Sequence, residues 1–457
     1  MKKAIAIGML LTLLLLCGCG AKKTDNVTYE IVDGRIVQVG EDGSIADAQN
    51  YTVEAAEALA ETEVSDGTAY TGEEYNSLSS DSAGRISVLR AKLVTATDAC
   101  RETYLAADKG TTMNITLSTA SIASMLGDIA GAGYPAVDSQ GELNMQGYET
   151  LAAFGRTQSL SDEDITGTYF IVYPDGHVSA FCLSRESGIW HLYSMSAAWN
   201  DDGSIRIYSE GRYAVGEVRY TEKGWLIYTR DTSDFDENQK ANTDSYVMLR
   251  VSPLDSTAKT LCERYVEPVG YFENNLFTTT WTEADFSPVD FNSLYAYVFS
   301  LYNGTDMLSS YNVRSYYKAV AGTRLYLVPQ ETFENNTQVY FRIGSSVLRN
   351  ISDYNSTLGG YFFLGYDRDY YNVTPRTPQP EVVSYTYNND GTITMVVDAV
   401  NEWYGTDCAF EHILTVRPGD GSSFQYVSNT LIASEDNILP AMKLSEMLNV
   451  ERAKTSY

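Results

Sequence analysis

From residue 166 to residue 251 apolar and aromatic residues recur at every second position, in the segments 169–173, 178–183, 190–195, 205–208, 214–220, 225–229 and 246–251. A period of two sends alternate side chains to opposite faces of a strand, and a helix cannot gather that pattern onto one stripe. Between the segments stand Pro174-Asp175-Gly176, Asn200-Asp201-Asp202-Gly203 and Glu222-Lys223-Gly224, residue types that reverse a chain within a few positions. Connections this short join antiparallel neighbours, so the expectation is a β-meander, built as a sandwich or as part of a propeller-like sheet. The 35 tyrosines against 15 phenylalanines agree, because a tyrosine ring packs on a half-buried strand while its hydroxyl stays wet.

The flanks follow other periods. Over 84–155, Ile86, Leu89, Leu93, Ala96, Cys100 and Tyr104 fall on one helical stripe, and Ser118 stands as N-cap to a helix carrying Ile122, Met125, Leu126 and Ile129. Gly131, Gly133 and Pro135 stop that helix, and a third carries Tyr148, Leu151 and Phe154. Beyond the meander, 288–302 and 329–341 read as helices, and Pro375, Pro378 and Pro380 as an extended linker. Strands follow at 381–387, 392–400, 410–417 and 424–432, the first two joined through Asn389-Asp390-Gly391. The fold class expected is α+β and multi-domain: an N-terminal helical unit, an antiparallel β-meander, and a C-terminal α+β unit with a small antiparallel sheet. Its boundaries are drawn at 84–157, 158–266 and 267–457.

The N-terminus carries a different message. Lys2 and Lys3 precede an almost unbroken apolar run from Ala4 to Cys17, too short to span a bilayer as a stable helix and of the length of a signal peptide's apolar region. The run ends on Leu16-Cys17-Gly18-Cys19, which resembles the lipobox of bacterial lipoproteins. That resemblance implies a lipid thioether on Cys19 and removal of residues 1–18. Residues 21–83 hold 14 acids and 3 bases, and 19–83 is read as an acidic tether able to carry the body well clear of the head groups. Within it, 27–39 alternates around Asp33-Gly34 like a hairpin, and 53–63 reads as a marginal helix.

Two further stretches carry a likeness. Tyr271-Phe272-Glu273-Asn274-Asn275-Leu276-Phe277 with Trp281, and Asn389-Asp390-Gly391-Thr392-Ile393-Thr394 running on to Val397-Asp398-Ala399-Val400, are joined by Phe424-Gln425-Tyr426-Val427-Ser428-Asn429. Together they are similar to a family of lipoproteins from Gram-positive gut bacteria that has no assigned activity. The likeness runs from about residue 115 onward and gives no residue a role, that of Cys19 resting on the lipobox alone.

The net charge of −28 becomes −30 once residues 1–18 are removed, a field that repels nucleic acid and anionic lipid, so no nucleic-acid partner is expected. His177, His191 and His412 are scattered without a metal-binding spacing, and no metal or cofactor is expected. Cys100, Cys182, Cys262 and Cys408 read as buried free thiols rather than bridges, Cys100 from its helical stripe and Cys182 from its place between Phe181 and Leu183. Ser315-Tyr316-Tyr317-Lys318 and Ser256-Thr257-Ala258-Lys259 both match SxxK without a following KTG. Asn200-Asp201-Asp202-Gly203 and Asn388-Asn389-Asp390-Gly391 lack the spacing of a calcium loop and read as turns. Tyr316, Tyr317, Tyr361, Tyr366, Tyr370 and Tyr371 suit either sugar stacking or a packed β-surface, the second being preferred.

The leading reading is a membrane-anchored extracytoplasmic lipoprotein, non-enzymatic, that binds or assembles with a protein or glycan at the cell surface. A carboxylate-dependent glycan or peptidoglycan hydrolase is the first alternative, since two carboxylates leave no local signature. A ligand-binding partner of a transporter is the second. The anchor is open to direct test. Cys19→Ala is expected to leave the signal peptide uncut or to release the protein from membranes, with loss of metabolic fatty-acid label. Unchanged processing and attachment in the variant would refute the lipobox assignment.

Overall fold

The computed structural model describes residues 80–111, 114–158, 165–230, 246–305, 310–364 and 377–455, together with strands 28–32 and 35–39. The chain divides into two compact units, 1–253 and 254–457.

In the first unit the helical stripe forms α1 (Ser80–Ala99) and α2 (Arg101–Ala106), which meet at Cys100. Every stripe residue from Ile86 to Tyr104 is buried. The two-residue strands β3 (Gly110–Thr111) and β4 (Asn114–Ile115) pair with each other after α2. Ser118 caps α3 (Thr119–Gly131) by accepting from the Ser121 backbone N–H, and α4 spans Glu149–Gln158. The alternating segments form β6 (Ile165–Val172), β7 (Val178–Glu186), β8 (Ile189–Trp199), β9 (Ile205–Tyr220), β10 (Trp225–Arg230) and β11 (Tyr246–Arg250). They lie side by side in chain order as one open sheet. The antiparallel meander is thus present as one sheet, clothed by helices.

Neighbouring residues show why two helical coats are needed. Phe170 faces Leu89, Leu93 and Met125 of α1 and α3, while Tyr169 faces Leu151 and Phe154 of α4. A sheet with apolar side chains on both faces must be covered on both. The helical region 84–157 is thus not a separate domain, because its stripe and the sheet share one core. β5 (Ala136–Asp138) extends the sheet parallel to β6, and α4 makes the crossover between them.

Segments 205–208 and 214–220 are one strand, β9, rather than two. Ser209 pairs with Ser196 and Ile207 with Ala197, so Tyr208 is an extra residue with no partner position on β8. A bulge of this kind shifts the alternation by one, which breaks the period of two in the sequence while the strand continues. The hairpin expected over 27–39 is present, β1 (Thr28–Val32) pairing with β2 (Arg35–Val39). The acidic tether needs correction in one respect, because Thr28 and Tyr29 also pair with Arg206 and Ile205 of β9. Part of 19–83 is thus sheet. The expected helix over 53–63 and the turn residues Asp33 and Gly34 lie outside the described residues.

The second unit begins earlier than expected, with α5 (Ser256–Tyr265) capped by Asp255. Leu261, Cys262 and Tyr265 are buried with Val382, Phe424 and Tyr426, so this helix shares a core with the C-terminal strands and not with the meander. Those strands are β17 (Gln379–Tyr387), β18 (Ile393–Val400), β19 (Glu411–Pro418) and β20 (Phe424–Leu431), joined at one edge by β12 (Trp281–Thr282). The four expected strands agree with these. Pro380, expected in a linker, is the second residue of the edge strand β17, where proline's missing N–H is tolerated. Pro375 lies outside the described residues.

Helices α6 (Phe291–Asn303) and α8 (Gln330–Tyr340) stand where helices were expected. α6 is closed by Gly304 in the left-handed region. The short helices α7 (Ser310–Tyr316) and α9 (Ser345–Ile351) flank α8, and α10 (Lys443–Arg452) follows the sheet. A second small sheet went unread: β13 (Lys318–Ala319), β14 (Leu325–Pro329), β15 (Tyr354–Asn355) and β16 (Gly360–Leu364). All five residues of β16 are buried, so its apolar run shows no alternation.

Gly360 separates two backbones that a side chain would force apart. A Cβ there would stand 2.4 Å from the Val328 carbonyl oxygen on β14. Gly360→Ala is expected to destabilise the protein by about 1–3 kcal/mol. Gly84→Ala, in open space on α1, is expected to stabilise it by about 0.5–1 kcal/mol. Chemical denaturation of both variants checks the pair, and equal behaviour would contradict the β14–β16 contact.

Candidate functional site

One buried polar group of the second unit centres on His412, which is fully buried on β19. The Tyr271 hydroxyl lies 3.0 Å from its Nε2, and its Nδ1 lies 2.7 Å from the Asn429 side-chain oxygen on β20. An amide oxygen only accepts, so Nδ1 carries the hydrogen and Nε2 receives one from Tyr271. Asn429 in turn donates to the carbonyls of Phe277 and Thr279, and Phe277 stacks on the imidazole at 5.2 Å. Burial holds the imidazole well below the ordinary histidine range, at about 4, with the Asn429 bond opposing it. The ring is therefore neutral and saturated at both nitrogens. Tyr271–His412–Asn429 resembles a relay only in its residue types, for each member is enclosed by the core.

Residues 271–277 form the loop that reaches this group. Asn274 donates to the carbonyls of Val269, Gly270 and Phe272 and accepts from the Leu276 N–H. Trp281 donates its indole N–H to the Leu276 carbonyl at 2.7 Å. Residues 271–277 and Asn429 on β20 thus meet at His412.

A second constellation lies along α8. Tyr354, Tyr361, Phe333 and Tyr295 make a file of rings with successive centroids 5.1, 3.9 and 4.5 Å apart, and Tyr317 continues it through a 2.8 Å bond to the Tyr295 hydroxyl. Glu334 accepts from Arg349 at 2.7 and 3.3 Å and from the Tyr361 hydroxyl at 3.0 Å. Burial raises its carboxyl, but the bonds from Arg349 and Tyr361 outweigh that and hold it below the usual range. Nearby, burial holds Asp353 above the carboxylate range, the adjacent Arg452 opposes this and Asp290 adds to it. Asp353 is ion-paired with Arg452, while Asp290 caps α6, accepting from Asn292, Ser293 and the Ser293 hydroxyl.

In the first unit the Nε2 of buried His191 lies 3.2 Å from Arg212. A guanidinium can only donate, so that nitrogen accepts, and burial followed by Arg212 keeps the ring below its ordinary range. Glu186 accepts from Tyr193 at 2.9 Å and pairs with Arg85 of α1 at 3.0 Å. His177 stands apart, 2.5 Å from Asp175 and stacked on Tyr173. The three histidines thus occupy three separate settings.

Cys100, Cys182, Cys262 and Cys408 are free. Burial pushes the Cys100 thiol up to about 12, and Cys262 is likewise raised while its thiol donates to the Pro380 carbonyl. Both SxxK matches dissolve, one because Ser315 lies in α7 and Lys318 in β13, the other because Ser256 and Lys259 lie on the surface side of α5. The two acidic loops are turns: Asp202 accepts from the Ser204 N–H and Asp390 from the Thr392 N–H. Of the tyrosines weighed for stacking, Tyr317 and Tyr361 are interior, Tyr316 is exposed, and Tyr366, Tyr370 and Tyr371 lie outside the described residues, as does Cys19. Among the described residues no group of three or more His, Cys, Asp or Glu side chains is placed to hold a metal, and no helix is long and apolar enough to cross a membrane. A shallow cavity of about 320 Å³ between α4 and β6 is lined by Thr150, Ala153, Phe154, Thr157, Ile165 and Thr166, without a titratable group.

What sequence reasoning missed are the partners: Tyr271 and Asn429 for His412, Arg349 for Glu334, Arg85 and Arg212 for Glu186. Each comes from another element, and only the first two stood inside a stretch already singled out.

A family of unknown function, DUF6070, matches residues 87–444, and the chain belongs to it. Among curated proteins and among solved structures nothing matches the chain.

The His412 group generates a pH dependence. A free histidine protonates near 6.5 and the folded one near 4, so between those values the unfolded chain binds more protons. Stability therefore falls as the pH falls through that window, by about 3 kcal/mol when complete. Urea unfolding at pH 7 and at pH 4 should show wild type losing about that much more than His412→Gln, whose starting stability is lower. Parallel losses would remove His412 as the source.

Proposed function

We propose that this family member is a lipid-anchored extracytoplasmic protein that binds a glycan at the cell surface rather than transforming one. The anchoring half rests on Leu16-Cys17-Gly18-Cys19 behind its apolar run. The binding half rests on one contrast among the aromatic residues of the second unit. Tyr295, Tyr317 and Tyr361 are spent in the interior ring file, whereas Tyr302 and Tyr316 stand 54% and 51% exposed. Tyr316 meets Phe299 edge-on at 4.9 Å, and Tyr302 lies one turn beyond Phe299 on α6. A ledge of rings with wet hydroxyls offers a sugar both a stacking face and hydrogen-bond partners. Two buried side chains of acid–base type are already engaged, His412 by Tyr271 and Asn429 and Glu334 by Arg349.

The raised carboxyl of Asp353 with Asp290 near it favours the hydrolase alternative. Against it, both carboxylates hold structural partners, Arg452 and the α6 N-terminus. A single assay separates the readings. The full-length protein in mild detergent is expected to sediment with isolated peptidoglycan, and Tyr302→Ala with Tyr316→Ala should weaken retention about tenfold with unchanged thermal unfolding. Steady release of soluble saccharide, abolished by Asp353→Asn, would establish the hydrolase instead.

A further inference from the structure

Only eight residues separate Cys19 from Thr28. Thr28 and Tyr29 are fixed in the first unit's sheet by pairing with Arg206 and Ile205, and β1 is secured along its length by β2, from Thr28 opposite Val39 to Val32 opposite Arg35. A trans chain advances at most about 3.3–3.6 Å per residue, so the path from Cys19 to Thr28 reaches about 30 Å, whatever its course. Were Ser80 of α1 the first fixed residue, the same limit would be about 200 Å.

We propose that the anchor is a short leash. The lipid on Cys19 holds the end of the sheet where β9 begins within about 30 Å of the bilayer surface, and residues 40–79 lie outside the connection between lipid and body. The inference rests on the lipidation proposed above, and it replaces the long spacer with a close tether.

The partner it assigns to that end of the unit is a lipid surface. There Trp199 stacks on Tyr104 at 4.6 Å and donates its indole N–H to the Gly176 carbonyl. The Lys109 ammonium lies 4.5 Å over the Tyr104 ring, and the Arg206 guanidinium 5.8 Å from that of Tyr208. Leu105, which packs beside Gly203, remains 48% exposed, and Tyr208 41%. Leucine, tyrosine, lysine and arginine each place an apolar body and, for the last three, a polar tip where acyl chain gives way to head group. Asp201 and Asp202 are exposed at the same end, and the chain as a whole is strongly acidic. Charge therefore does not draw this end to an anionic bilayer. The covalent leash does, against the charge.

The test compares insertions. The lipidated full-length chain is reconstituted into phosphatidylcholine vesicles bearing an acceptor-labelled lipid, with a donor dye on Asp202→Cys. A twelve-residue Gly/Ser insertion after Asp25 adds about 20 Å of mean reach and should lower energy transfer about twofold. The same insertion after Ala60 should leave it unchanged. Tyr29→Pro, which removes a backbone donor from β1, should make the Ala60 insertion effective as well. Equal losses from both insertions, or a larger loss from the one after Ala60, would overturn the leash. Fatty-acid label on the wild-type chain is read separately. Its absence overturns the anchor itself and the leash with it, whereas label together with equal insertion effects overturns the leash alone.

Discussion

The second unit depends on one buried imidazole. His412 on β19 joins the loop after α5 to β20: Tyr271 bonds it directly, and Asn429 links it to the carbonyls of Phe277 and Thr279 in that same loop. A ring sealed at this depth is tolerable only if uncharged and bonded at both nitrogens, since a buried unpaired polar atom costs about 1–3 kcal/mol. The tautomer that satisfies Asn429 also leaves Nε2 to accept from Tyr271. The loop and the sheet consequently determine one another, and the aromatic shell of Phe277, Phe410 and Tyr426 closes over the result.

The first unit solves a different problem. A sheet apolar on both faces must have helices on both, and the chain supplies them from one side of its own sequence. α1 and α3 precede the sheet and cover the Phe170 face, while α4, lying inside the β5–β6 crossover, is delivered to the Tyr169 face. The polar bonds at the margin of the first face, from Arg85 to Glu186 and from Arg212 to His191, fasten α1 and the neighbouring strands where the apolar contact gives out. The partly exposed Arg85–Glu186 pair contributes little by itself, and its use here is positional.

A common economy runs through both units. Several titratable groups have their protonation fixed by their surroundings: Glu334 is held ionised by Arg349, while burial keeps His412 neutral and pushes the Cys100 thiol away from ionisation. Tyrosine does the opposite duty, spanning interior and surface, and its exposed members are where the binding proposal looks. The hairpin of β1 and β2 adds a third theme, because a pairing of two residues with β9 decides how far the body stands from its proposed lipid.

Much of this architecture was legible in order and kind. The stripe from Ile86 to Tyr104, the Ser118 cap, the turns at Gly176, Gly203 and Gly391 and the four C-terminal strands follow from local rules, because period and turn chemistry act over a few residues. The break between 205–208 and 214–220 misled, since a bulge at Tyr208 reverses the phase without ending the strand, and β16 hid because a fully buried strand has no alternation to read. What the sequence determined alone is therefore the succession of elements, the scatter of the histidines and the strongly acidic balance. Only tertiary structure decided which face each helix covers, that α5 belongs with the C-terminal strands, and that Tyr271, His412 and Asn429 meet. Those outcomes depend on contacts between separate elements, up to 141 positions apart for Tyr271 and His412, and no local pattern encodes which distant partner will complete a buried hydrogen bond.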